Sequence, residues 1–174
     1  MGISTNNIVL IGMPGCGKSS IGLLLGKLLG LDFCDLDSYI EEKEQATITT
    51  LFQQGEDHFR QLESNAVRDI YHKTSILIST GGGIVTRSEN MTLLRQTGTI
   101  FYIDRPIELI LSSSDLTSRP LLSEDHNRIY ALYKERKDLY EQYCDFSIVN
   151  DQSIEIAAEE IIKIIKSPAG NTAT

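Results

Sequence analysis

An apolar run, Ile8-Val9-Leu10-Ile11, passes into Gly12-Met13-Pro14-Gly15-Cys16-Gly17-Lys18-Ser19 and then into Ser20-Ile21-Gly22-Leu23-Leu24-Leu25, which reads as the start of a helix. The G-x4-G-K-S segment is a Walker A phosphate cradle, and it requires a strand before it and a helix after it. Its glycines let backbone N–H groups curl around an oxyanion, Lys18 reaches the terminal phosphates and the Ser19 hydroxyl can ligate Mg²⁺. The helix N-terminus adds positive potential. With glycine near 7% of residues, chance would give this pattern in only about one chain of this length in a hundred. The expected nucleotide contacts are therefore Gly12, Gly15, Cys16, Gly17, Lys18, Ser19 and Ser20. The phosphate donor is a nucleoside triphosphate; the acceptor must be read elsewhere.

With 174 residues, 41% of them hydrophobic, the chain can bury one sizeable core and is too short for two ordinary domains. A formal net charge of −8 argues against nucleic-acid or anionic-membrane partners, which need clustered Lys and Arg. Cys16, Cys34 and Cys144 have no C-x-x-C spacing and are odd in number, so a reducing cytoplasm is expected rather than a disulfide framework or zinc knuckle. No signal peptide or 18-residue apolar run is seen.

Short β-favouring runs at Ile8–Ile11, Phe33–Leu36, Ser75–Ser79, Thr99–Ile103 and Phe146–Val149 alternate with helical patterns. That alternation predicts an α/β fold with a parallel sheet. The predicted helices are Lys18–Leu29, closed by Gly30, then Ile48–Gln54 and Phe59–Tyr71, broken at Gly55. Ser88–Gln96 follows with Ser88 as its cap, then a helix opened by Pro106 through Leu111, Arg128–Tyr143 and Ile154–Lys166. The expected organisation is one domain over residues 1–166, with the polar stretch 112–125 as a mobile loop, and a fraying tail over 167–174.

In an extended chain residues two apart face the same way, so Asp35 and Asp37 are expected to project together from the end of the second strand. One would orient Mg²⁺ through water and the other accept from a substrate hydroxyl; the alternative is a pair of helix-capping acids. Gly12, Asp35, Asp37 and Thr80-Gly81-Gly82-Gly83 would all lie at the carboxyl ends of strands, where ligands collect in open α/β sheets. The glycine triplet is either a place where backbone meets a ligand or a flexible turn. Glu63, three residues after Arg60, can orient its guanidinium, and Arg136 shares a helix face with Tyr140; solvated faces are the alternative for both. Arg119, in the polar loop, can swing over phosphates. His58, His72 and His126 have no metal-ligand spacing, and Cys16 reads as a small filler in the cradle.

Taken in order, Gly12–Ser19, Asp35-Leu36-Asp37, Gly55-Glu56 with Phe59-Arg60 and Glu63, Gly81-Gly82-Gly83, Arg119-Pro120-Leu121-Leu122 and Arg136 with Tyr140 resemble shikimate kinase. The resemblance implies a three-layer P-loop kinase fold like that of nucleoside monophosphate kinases, with five parallel strands in the order 2-3-1-4-5 and a lid at about 112–125. It implies ATP-dependent phosphorylation of the shikimate 3-hydroxyl, toward aromatic amino acids; the expected setting is the cytoplasm and the expected state a monomer. Lys18, Asp37 and Arg119 are then the catalytic residues, with Asp37 on the reacting hydroxyl and Lys18 and Arg119 balancing phosphoryl charge. Arg60 and Arg136 bind the shikimate carboxylate, Gly81, Gly82 and Gly83 line the acid, and Ser19 places Mg²⁺ with Asp35 acting through water. One departure stands out. An arginine that stacks on adenine in many of these kinases is Ser112 here, which implies weaker ATP binding or another contact near Asn150-Asp151-Gln152-Ser153. The competing expectations are a gluconate kinase or similar small-metabolite kinase and a non-catalytic nucleotide-binding module. The intact Lys18, Ser19, Asp37 and Arg119 disfavour the module.

Overall fold

The run Asn7–Ile11 is buried at every position and forms the central strand β1. A strand apolar on both faces needs cover on both faces, which a parallel sheet with crossover helices provides. A computed structural model describes residues 6–112 and 126–167. Around β1 stand β2 (Asp32–Asp35), β3 (Ile76–Ser79), β4 (Gly98–Asp104) and β5 (Phe146–Val149), all parallel, in the order β2-β3-β1-β4-β5. The register sets Val9 between Ile78 and Ile100, so the core runs straight across the middle of the sheet.

Helices α1 (Lys18–Leu29) and α8 (Ile154–Lys166) pack together on one face. The other carries α4 (Glu56–Ile70), α5 (Ser88–Thr97) and α7 (His126–Tyr143), with α2 (Leu36–Glu44) and α3 (Ile48–Gln53) against α4. A short α6 (Ile107–Leu111) follows β4. Gly30 closes α1 in the left-handed conformation (φ 67°), as its sequence position predicts.

Several element ends shift by one to three residues and α2 is not among the predicted helices; four of the differences bear on the site or on capping. The second strand stops at Asp35, because the Asp35 side chain accepts from the Ser38 amide and starts α2 one residue later. Asp35 and Asp37 are therefore not two residues of one extended chain: the first is a helix cap and the second lies in the helix. Helix α4 begins at Glu56 rather than Phe59, since Glu56 and Asp57 favour a first turn next to the helix dipole. Ser88 lies inside α5, after a flanking Arg87, and makes no side-chain cap. Pro106 likewise flanks α6 instead of beginning it. The expectations for Arg119, for most of the 112–125 lid and for all of the 167–174 tail but Ser167 fall outside the described residues.

Candidate active site

The turn from β1 into α1 takes backbone angles that only glycine adopts freely: φ is 145° at Gly12, 78° at Gly15 and 99° at Gly17. A Cβ on Gly12 would also sit 2.6 Å from the Ile103 carbonyl oxygen, so β4 presses directly on the loop. Lys18 is buried and its Nζ donates to the Gly12 and Met13 carbonyls, each at 2.8 Å. It is thereby held at the centre of the cradle. Ser19 Oγ donates to Asp35 Oδ2 at 2.5 Å and lies 3.4 Å from Ser79 Oγ. Cys16 is fully buried, which fits the filler expected from the sequence.

Asn150, just past β5, holds the loop from behind. Its backbone N–H donates to the Asp104 carbonyl at 2.8 Å and its Nδ2 to Cys16 O at 2.9 Å. The side chain is thus committed to the cradle, and Ser153 to capping α8. Of the four residues expected as a substitute adenine contact, only Asp151 and Gln152 are exposed without such a commitment. Ser112 Oγ donates to Leu109 O at 3.2 Å, within its own helix end.

On the other side of the cavity Arg60 is nearly buried and meets two carboxylates of α4: Nη1 donates to Glu63 Oε2 at 2.9 Å and Nη2 to Glu56 Oε1 at 3.2 Å. Phe52 and Phe59 stack on each other, and the guanidinium carbon lies 5.7 and 5.4 Å from their ring centres. Glu63 is fully buried, and burial pushes its carboxyl above the ordinary range even though the Arg60 guanidinium draws it down. Arg136 is buried on α7, with its Nε 3.4 Å from Glu135 Oε1. One turn on, Tyr140 donates its hydroxyl to the Gly82 carbonyl and stacks on Tyr102 at 5.1 Å. Burial holds the Tyr140 phenol well above its ordinary pKa, so it remains a donor.

The glycine triplet is explained chiefly by protein side chains. A Cβ on Gly81 would meet Glu63 Oε1 at 2.8 Å and Asp37 Oδ1 at 2.9 Å, one on Gly82 would meet the Pro14 ring at 2.6 Å, and one on Gly83 would fall on the Arg60 guanidinium. The bond from the Thr80 amide to Leu10 O, 3.1 Å, fixes the turn beside the cradle. A single cavity of about 680 Å³ results, lined by Ser19, Asp35, Asp37, Arg60, Arg136 and the triplet among others. Residues expected on the donor side and residues expected on the acceptor side thus line one space. Phe52 was not singled out in the sequence, Glu56 entered only as part of a motif and Asn150 only as a substitute adenine contact: Phe52 reaches Arg60 across the helix break at Gly55, Asn150 holds Cys16 from 134 residues away, and Glu56 resembles any exposed helix acid. Among the described residues no group of three His, Cys, Asp or Glu could hold a metal, and no helix is long and apolar enough to cross a membrane.

Comparison with known proteins gives one consistent result. Residues 14–166 match the family model described as Shikimate kinase. A shikimate kinase from Clostridium botulinum (strain Alaska E43 / Type E3) is 50% identical over 160 residues, covering 92% of this chain and 97% of that protein. The structure of a shikimate kinase from Acinetobacter baumannii in complex with shikimate superposes with a TM-score of 0.89 at 32% identity, over 99% of this chain and 97% of the other. The shikimate kinase of Aquifex aeolicus gives 0.81, also at 32% identity, over 94% and 98%.

Proposed function

The chain belongs to the shikimate kinase family, and on that premise we propose that its cavity transfers the γ-phosphoryl group of ATP to the 3-hydroxyl of shikimate, giving shikimate 3-phosphate. The observation that carries this is the pairing, within one cavity, of two buried guanidiniums with Asp37 and the Walker A serine. An acceptor with one carboxylate and several hydroxyls suits such walls. Arg60 and Arg136 bind the carboxylate by charge-assisted hydrogen bonds, and Gly81–Gly83 form the floor. Asp37 accepts a hydrogen bond from the reacting hydroxyl. Because phosphoryl transfer passes through a loose transition state with little early proton removal, Asp37 acts first by positioning and only then as proton acceptor.

The cradle residues fit a nucleotide triphosphate. Gly12, Gly15 and Gly17 have the backbone freedom an amide nest requires, and Cys16 and Ser20 complete the turn into α1. Lys18 gives two protons to loop carbonyls, and its third faces only Cys16 Sγ at 3.6 Å, a weak contact that a phosphate oxygen would replace. Ser19 Oγ and Asp35 Oδ2 are adjacent hard oxygens that fit Mg²⁺, Ser19 directly and Asp35 through water. When bound, the ion would withdraw charge from phosphate oxygens. Arg119 is assigned to the transferred phosphoryl group by its R-P-L-L sequence context. Action as a monomer in the cytoplasm belongs to the same proposal and is consistent with three free thiols.

ADP release coupled to a reporter, measured with shikimate, with gluconate and without acceptor, tests this function. Turnover with shikimate alone is expected. Turnover with gluconate and none with shikimate would refute it and favour the small-metabolite kinase alternative.

A further inference from the structure

Arg60 meets two carboxylates, and they differ in what they can do. The Glu63 side chain is 0% exposed, while the Glu56 side chain is 62% exposed and lines the cavity. Withdrawing Glu63 would strand a buried charge, so it stays with the guanidinium. Glu56 can turn into water, because an ion pair with one solvated partner is weak and exchangeable. The two also hold different atoms. Glu63 takes Nη1 and Glu56 takes Nη2, while Arg60 Nε is buried and has no partner. Nε is closed to solvent, so Nη2, held by the exposed glutamate, is the donor of Arg60 whose partner can exchange.

The guanidinium cannot move aside to offer a different edge. Phe52 and Phe59 lie within 5.7 Å of its central carbon, and the Gly83 backbone leaves no room even for a Cβ beside it. An acid that reaches Arg60 from the cavity therefore meets Glu56 already at Nη2. We propose that Glu56 is a carboxylate that competes with the acceptor for Arg60 and so lowers the acceptor's affinity. This rests on the proposal that Arg60 binds the shikimate carboxylate. Glu56 acts on the acceptor only through Arg60, so it is a positioning residue, and its effect falls on KM rather than on kcat.

The test is shikimate binding by calorimetry and shikimate KM for the full chain and for Glu56→Gln and Glu56→Ala. Both substitutions remove the competing charge and should tighten shikimate roughly twofold to fivefold, the range of an exposed pair, with the change in KM and not in kcat. The methyl ester of shikimate, which lacks the charge that displaces Glu56, should show no such gain. Unchanged or weaker shikimate binding in both variants would overturn the proposal, as would an equal gain for the ester. Failure of the wild-type chain to bind or turn over shikimate would instead overturn the function on which it rests, so the two failures are distinguishable.

Discussion

A methyl group on Gly83 would collide with the Arg60 guanidinium, so this glycine exists to let one side chain lie flat against backbone. Its φ of −98° is one that any residue can adopt. Gly83→Ala should therefore fold but push Arg60 out of place, raising KM for shikimate about tenfold or more, the loss of one charge-assisted contact. KM for ATP should stay within about twofold, and initial-rate kinetics in both substrates checks the split. The sequence showed three glycines at a strand end but not which neighbours required them, because Pro14, Glu63 and Arg60 reach the turn only in the folded chain. Glu63 has a pH signature as well. Its carboxyl is raised by burial, so the folded state binds the proton more tightly than the unfolded one. The associated stabilisation is full below the unfolded value of about 4.5 and is lost as pH rises through the folded value. The stability of the wild type relative to Glu63→Gln should fall as pH rises above about 4.5, measured by urea unfolding across pH; a constant difference would contradict the assignment.

At the scale of elements, two contacts tie separate segments to the site. Tyr140 joins α7 to the glycine turn through the Gly82 carbonyl, and Arg136 rides on the same helix. Tyr140→Phe leaves that buried carbonyl without its donor and should cost about 1–3 kcal/mol of stability, read from urea midpoints. Asn150 joins the end of β5 to the cradle at Cys16 O. Asn150→Ala should raise KM for ATP severalfold while shikimate binding is unchanged; equal effects on both would show that Asn150 supports the whole fold instead. Strands, α1 and α8 were legible because apolar runs, Gly30 and a 3.6-residue period mark them. Helix α2 was not, since only Leu36 and Ile40 of its nine residues are buried and two anchors make a poor periodic signal. Its one signal was the alternative that the two acids cap a helix, and for Asp35 that alternative holds, because its side chain accepts from the Ser38 amide.

Across the whole molecule, a chain of net charge −8 gathers Lys18, Arg60 and Arg136 into buried positions at one edge of its sheet. The parallel topology makes this possible, because all five strands point their carboxyl ends the same way. The topology and the grouping of Asp37, Arg60, the glycine triplet and Arg136 with Ser19 were legible from motif order along the chain. What was not legible is how the grouping is held, since Asn150 to Cys16 and Tyr140 to Gly82 span 134 and 58 residues. On the proposed function, one cavity delivers the phosphoryl group to a single hydroxyl held by Asp37. Phosphorus NMR of the product formed from ATP and shikimate, run with wild type and Asp37→Asn, decides the point. The wild type should place phosphate on the 3-oxygen alone, and Asp37→Asn should form that product far more slowly while still binding ATP. Phosphate on another oxygen, or an undiminished rate in Asp37→Asn, would contradict it.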